Sequence, residues 1–285
     1  MTEQKIIALV DGSIYSESVC HHAAWIAGRT AAPVELIHVL GRREAPEKPD
    51  LSGAIRLGAR SELLEQLAEI DAQRARLTGQ RGRAILEDAR AIVDRDGVTA
   101  ITTRLRQGDI VETIGEIEGD ARVIVIGKRG EAADFARGHL GSNLERIVRA
   151  AHRPVFVAAR SFQPIDSVLI AFDGGASAQK AVDHVARSRF FAGLPVTLVT
   201  VGPETPEARK GLSDAAAVLA AGGIEADTRI LPGQPDEELG RLVEAEGFGM
   251  LVMGAYGHSR IRSLMIGSTT TEMMRSCKVP VLLLR

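Results

Sequence analysis

With 285 residues the chain is long enough for two compact domains, each able to bury its own core. An apolar share of 45% excludes wholesale disorder, and 35 basic against 37 acidic residues, a formal net charge of -2, exclude bulk attraction to nucleic acid or an anionic membrane. Only two cysteines occur, Cys20 and Cys277, in no CxxC or Cys/His ligand spacing, so no metal site and a reduced, cytoplasmic setting are expected.

The first apolar run, 5–10, ends at an Asp11-Gly12 turn and leads into the amphipathic stretch SESVCHHAAWIA, which predicts strand, turn and helix. On that helix Trp25, Cys20 and His22 have the spacing of a face buried against a sheet. His21 and His22 are adjacent, point in different directions, and cannot easily serve one metal ion with Cys20. A second strand is predicted over 34–40. A long charged segment, about 42–97, follows. Its proline-containing start, GRREAPEKPDLSG, reads as an exposed loop, whether a lid, a contact surface or a solvated excursion. The stretches SELLEQLAEIDAQRARL and RAILEDARAIVDRDG have helical periodicity and good helix formers. Strands are then predicted over 101–106, 123–126 and 155–158.

A short polar segment with Pro164, ARSFQPI at 159–165, is too short for a flexible tether, so the flanking halves should pack together. Beyond it the pattern recurs, with strands predicted over 167–171, 195–201, 225–231, 250–253 and 279–284. The repeat is detailed: VLIAFDGG echoes IIALVDGS, LVMGAYG echoes VIVIGKRG, a Gly-Ser pair recurs at 141–142 and 267–268, and VPVLLLR echoes RPVFVAA. Strand, turn and glycine punctuation repeated in one order imply two copies of one domain, 1–160 with a long insert and 165–285. Alternation of apolar strands with helices then gives an α/β fold of two tandem open-sheet, mostly parallel doubly wound (Rossmann-like) domains. The final strands should pair with each other about a pseudo-two-fold axis, because each would otherwise be an apolar edge. That makes an intramolecular pseudo-dimer, with a homodimer of whole chains as a further option. No run is long enough to span a bilayer, and MTEQKIIALVDGS lacks the basic lead and apolar stretch of a leader.

The chemistry-bearing features lie at the predicted strand ends. After the strand at 250–253 come Gly254-Ala255-Tyr256-Gly257, nine residues, and Gly267-Ser268-Thr269-Thr270 opening a helical stretch. A glycine-rich loop and a helix N-terminus offer unpaired N–H groups to an anion, and the hydroxyls of Ser268, Thr269 and Thr270 can donate to phosphate oxygens. The plainer alternative is that Ser268 caps the helix. Asp173 falls at the same sheet edge, where a carboxylate can accept from ribose hydroxyls; an Asp-Gly pair after a strand is also ordinary turn chemistry. There is no GxxxxGK[ST] and no GxGxxG after a strand, which removes the P-loop and dinucleotide readings.

The set VLIAFDGG, VTLVTVG and GAYGHSRIRSLMIGSTTTEMMRSCKVPVLLL resembles the universal stress protein family, in its nucleotide-binding branch. The family signature, GxxG, nine residues, then Gly with Ser or Thr, is met in the second half without deviation. The resemblance implies ATP, with Mg2+, as ligand and a role in stress response. It further implies Asp173 at the ribose, Val201 and the backbone near Ala171 at the adenine, and Gly254, Gly257 and Gly267 at the phosphates. Ser268 and Thr269 would meet phosphate oxygens, and Phe172, Met253, His258 and Thr270 fill out the set. In the first half ten residues separate Gly130 from Gly141, and Asn143 stands where Thr is expected. Val10, Asp11, Val39, Gly127, Gly130, Gly141 and Ser142 therefore form a second, weaker candidate site, where Lys128 and Arg129 either add positive charge or face solvent.

No positioned base or nucleophile accompanies the glycine loop, His258 being its one titratable group. The leading expectation is a nucleotide-responsive regulatory protein, at most a weak ATPase. The alternatives are a slow ATP hydrolase or nucleotidyl-transfer enzyme on the same fold, and an interaction scaffold whose glycines only shape loops.

Overall fold

The computed structural model describes residues 4–41, 57–130, 141–256 and 266–285. The apolar runs of the first half become β1 (Lys5–Leu9), β2 (Val34–Leu40), β3 (Ile101–Gln107), β4 (Ala121–Gly127) and β5 (Val155–Ala158). Those of the second become β6 (Val168–Ala171), β7 (Val196–Val201), β8 (Ala226–Leu231), β9 (Met250–Gly254) and β10 (Val281–Leu284). Between them lie α1 (Ser16–Thr30), α2 (Leu57–Arg95), α3 (Ile110–Ile117), α4 (Ser142–Ala150), α5 (Ala176–Arg187), α6 (Pro206–Ala221), α7 (Pro235–Glu246) and α8 (Ser268–Ser276).

All ten strands join one sheet in the order β3-β2-β1-β4-β5-β10-β9-β6-β7-β8, which reads the same from either end. Neighbours are parallel except at the centre, where β5 and β10 run antiparallel with Val157 opposite Val281, Phe156 opposite Leu282 and Val155 opposite Leu283. Both strands are buried along their length, so each covers what would otherwise be an open apolar edge of its half. The outer edges fall to β3 and β8, whose ITTRLRQ and ADTRIL are partly exposed and charged, a composition that blunts edge-to-edge association.

Two apolar layers sandwich the sheet. One takes Val19 and Ala23 of α1, Leu86 and Val93 of α2, Ala181 and Val185 of α5, and Leu212 and Leu219 of α6. The other takes Ile114 of α3, Leu144 and Ile147 of α4, Leu239 and Leu242 of α7, and Met273 and Met274 of α8. Each layer runs across both halves, so the halves share their core. Phe156 of β5 is fully buried at the join, with ring centroids 5.1 Å from His22 and 6.5 Å from Phe190 of the second half. The side chains of His21 and His22 diverge as adjacent helical residues must. His21 Nδ1 sits 2.6 Å from Asp96, while His22 is buried with Nδ1 2.7 Å from the Ser18 carbonyl oxygen. Half-buried Trp25 lays its ring edge-on against Phe190.

The two helical stretches of the insert are one helix. From Gly82 onward α2 docks, burying Gly82, Leu86, Ala89 and Val93 at three- and four-residue spacing. A Cβ at Gly82 would lie 2.8 Å from the Leu105 side chain and 3.0 Å from that of His38, so glycine permits the close approach.

Candidate functional site

In each half the strand order is 3-2-1-4-5, and the connections after its first and fourth strands leave on opposite faces of the sheet. For the second half these strands are β6 and β9, parallel neighbours with Ala171 paired to Met253, followed by α5 on one face and α8 on the other. The divergence opens a crevice at the carboxyl ends of the strands, the position at which open parallel sheets take ligands.

Asp173 stands there, exposed, one residue beyond buried Phe172. Its Oδ1 accepts from the Gly175 N–H at 2.8 Å, across Gly174 at φ +78°, so the turn needs glycine between carboxylate and helix. On the β9 side, a Cβ at Gly254 would meet Ser177 Oγ at 2.6 Å and Ala178 N at 2.8 Å. Only a glycine lets the end of β9 lie on the first turn of α5. The loop is fastened further: the Ser177 hydroxyl donates to the Tyr256 carbonyl, the Gly267 N–H to the Ala255 carbonyl at 3.3 Å, and the Thr270 hydroxyl to the Gly254 carbonyl at 3.2 Å.

Gly175 and Gly267 are the N-caps of α5 and α8; neither has a capping side-chain hydrogen bond, and neither first turn contains an acidic residue. Neither N-cap residue supplies a side-chain acceptor to the first-turn N–H groups, and the positive dipole ends lie at the same sheet edge. Ser268 opens α8 and is exposed, Thr269 is half-buried beside it, and Ala171 and Val201 are half-buried at their strand ends above buried Met253. Gly257 and His258 lie outside the described residues.

Thr270 corrects the sequence reading. Its hydroxyl was expected at a phosphate, but the side chain is 3% exposed and donates inward, because the third residue of α8 turns toward the sheet. The equivalent residue of α4 is Leu144, also buried.

The first half builds the same crevice between β1 and β4 with different fittings. Asp11 Oδ1 accepts from the Ser13 N–H at 3.0 Å and the Ser16 hydroxyl at 3.2 Å, and Ser16 Oγ accepts from the Asp11 and Gly12 N–H groups. A Cβ at Gly130 would come 2.7 Å from Asp11 Oδ2, so the loop after β4 closes onto the carboxylate. Gly127 abuts buried Tyr15, and Gly141, the N-cap of α4, returns its N–H to the Lys128 carbonyl. Val10 is buried and Val39 half-buried, and Ser142 opens α4. Glutamates stand in the first turns of both helices, Glu17 and Glu145, where they oppose an incoming anion.

Lys128 is a second correction. Rather than adding charge to the loop or facing solvent, it is 7% exposed and its ammonium donates to the Cys277 carbonyl of the other half. Burial pushes its pKa below the ordinary lysine value.

Sequence reasoning missed His38 and Thr200. His38 Nδ1 lies 2.7 Å from the Val10 carbonyl oxygen, and the Thr200 hydroxyl donates to the Phe172 carbonyl at 2.8 Å. These side chains occupy equivalent places in β2 and β7 and hold the residue before each aspartate. Superposing LIHVL on LVTVG would have found them, as the one polar side chain that each segment carries at the same position.

Fold and crevice define a tandem doubly wound α/β protein with the same diverging strand ends in each half. The chain belongs to the universal stress protein family, whose profile matches residues 3–159 and 164–285. A universal stress protein of Synechocystis sp. is 37% identical over 286 residues, spanning 99% of this chain and 100% of the relative. One of Mycolicibacterium smegmatis is 24% identical over 306 residues, spanning 100% and 98%. Among solved structures, a universal stress protein from Archaeoglobus fulgidus matches the fold with a TM-score of 0.70 at 17% identity, covering 100% of this chain and 99% of that one. A Pseudomonas aeruginosa protein of unknown function matches at 0.60 and 15% identity, over 99% and 92%. Among the described residues no helix is long and apolar enough to cross a membrane.

Proposed function

We propose that the chain is a cytoplasmic adenine-nucleotide-binding protein of the stress response, that the second half takes ATP with its Mg2+, and that the output is a ligand-dependent surface rather than a product. The observation that carries this reading is the meeting of the Asp173 turn and the Gly254 loop beside two helix N-termini lacking both capping side chain and acid. Such an edge suits a phosphate chain on one side and a ribose on the other. Asp173 then accepts from the ribose, Ala171, Phe172, Val201 and Met253 border the base, and Gly254, Gly257, Gly267, Ser268 and Thr269 meet the phosphates. Among the described residues no group of three or more His, Cys, Asp or Glu is placed to hold a metal, so the phosphates would bring Mg2+ with them. The first half is the weaker site, because its carboxylate is tied to Ser16 and its helix N-termini carry Glu17 and Glu145.

Titration calorimetry of the full chain with ATP and Mg2+ tests the proposal. Binding should survive Asp11→Ala, weaken in Asp173→Ala, and be largely lost in Gly254→Val, with circular dichroism confirming each fold. No binding of any adenine nucleotide, or equal losses from Asp11→Ala and Asp173→Ala, would overturn it. Turnover of about one per second or faster would favour the hydrolase reading instead.

A further inference from the structure

The helix α2 is longer than the sheet it lies on. Seven-residue β3 spans about 23 Å at 3.3 Å per residue, and residues 82–95 of α2 cover that length at 1.5 Å per residue. The docked portion begins where Gly82 meets Leu40, Leu105 and His38 near the carboxyl ends of β2 and β3. Of the 39 residues of α2, those from 57 to 81 overhang, for roughly 37 Å. From 64 to 81 no described side chain is buried.

This overhang carries an unpartnered apolar stripe. The large hydrophobic side chains that are most exposed among the described residues include Ile70 at 59% and Leu77 at 65%. They are seven residues apart on one helical face, with half-buried Leu67 beside them. Charge along residues 64–83 is polarised: Glu65, Glu69 and Asp71 precede Ala72, and Arg74, Arg76, Arg81 and Arg83 follow it.

We propose that the overhang is the surface through which two copies of this chain associate, their α2 helices pairing antiparallel about a two-fold axis level with Ala72. That register sets Leu67 level with Leu77 of the second copy and Ile70 level with its Arg74, so that the guanidinium approaches Asp71. The acidic portion of each helix lies along the basic portion of the other. A polarised charge pattern matches its own reverse, which is what a two-fold, isologous contact requires. An arbitrary partner would need only one sign. The remainder of the molecule leaves room: the two sheets sit at opposite ends of the helix pair, roughly 30 Å apart along it. The sheet offers no competing edge, since β5 and β10 cover one another and the outer edges bear Arg104, Arg106, Asp227 and Arg229.

Sedimentation velocity of the full chain across a dilution series, without nucleotide, tests this directly. The expected result is a monomer–dimer equilibrium weakened by salt and weakened about a hundredfold by Ile70→Lys, because two isoleucines leave the contact at once and each new ammonium faces Arg74 of the second copy. Helix content should not change, Ile70 being exposed. Paired variants then test the charge pattern: Glu65→Lys with Glu69→Lys, and separately Arg74→Glu with Arg76→Glu, should each self-associate at least tenfold more weakly. An equimolar mixture of the two should recover a mixed dimer. A chain monomeric throughout the series, a dimer indifferent to Ile70→Lys, or a mixture that recovers nothing would each overturn the proposal.

Discussion

Acid should destabilise this protein through the histidines whose pKa burial lowers, His22 and His184, and His22 shows how. The ring is buried against Phe156 and Phe162, its Nδ1–H is given to the Ser18 carbonyl, and Nε2 is buried with no hydrogen-bond partner among the described residues. Burial, the largest influence, lowers its pKa from 6.5 to about 4. The folded chain therefore holds His22 neutral while the unfolded chain takes up a proton near pH 6.5. The resulting stability is complete above about pH 7 and is lost as pH falls through 6.5 toward 4. At pH 5 the two protonation curves differ by about 2 kcal/mol, from 1.36 kcal/mol per pKa unit and partial titration. The replacement His22→Phe keeps the aromatic packing and removes the titration, at a roughly constant cost of about 1 kcal/mol for the lost bond to Ser18. Urea unfolding of both proteins from pH 8 to pH 5 isolates the effect, because titrations common to the two cancel. The variant should be the less stable at pH 8 and should gain about 2 kcal/mol on the native protein by pH 5. Parallel pH profiles would refute the burial argument.

Other expectations are equally direct. Phe156→Ala should cost about 3–5 kcal/mol in urea unfolding, since the ring sits in the core shared by both halves; a cost below about 1 kcal/mol would mean that β5 and β10 contribute little to the join. Thr270→Val should cost about 1 kcal/mol through the lost bond to the Gly254 carbonyl and leave ATP affinity within about twofold in calorimetry; a tenfold weaker affinity would return the hydroxyl to the phosphate. Lys128→Met should hold or raise stability, because it removes a buried ammonium, and should leave nucleotide affinity unchanged, because the side chain points into the opposite half.

The glycine and aspartate punctuation made the repeat, the ten strands and the crevice edges legible, because turns and close approaches at Gly174, Gly254 and Gly130 admit little else. The central pairing of β5 with β10 followed from two unbroken apolar runs with no other cover. Helix joining was not legible: Thr78, Gly79 and Gly82 are weak helix formers, and only the close seat of Gly82 on Leu105 and His38 explains a glycine kept within α2. Side-chain direction was hidden as well. Whether Lys128 and Thr270 face a ligand or the interior depends on where the sheet lies relative to the first turn of α8 and the end of β4, a tertiary fact that spacing along one strand or helix does not contain.

The palindromic sheet has a consequence for how such a protein can change over time. In a pair of identical separate subunits every substitution lands twice, so the two ligand edges stay alike and any group crossing the join must fit its own mirror partner. Here the join lies within one chain, and each side is free to drift alone. The divergence is already visible where Lys128 reaches Cys277 with Ala255 as its counterpart, where Tyr15 answers Ser177, and where Leu144 answers Thr270. Covalent fusion turns a symmetric pair into two unequal halves, each able to change without the other.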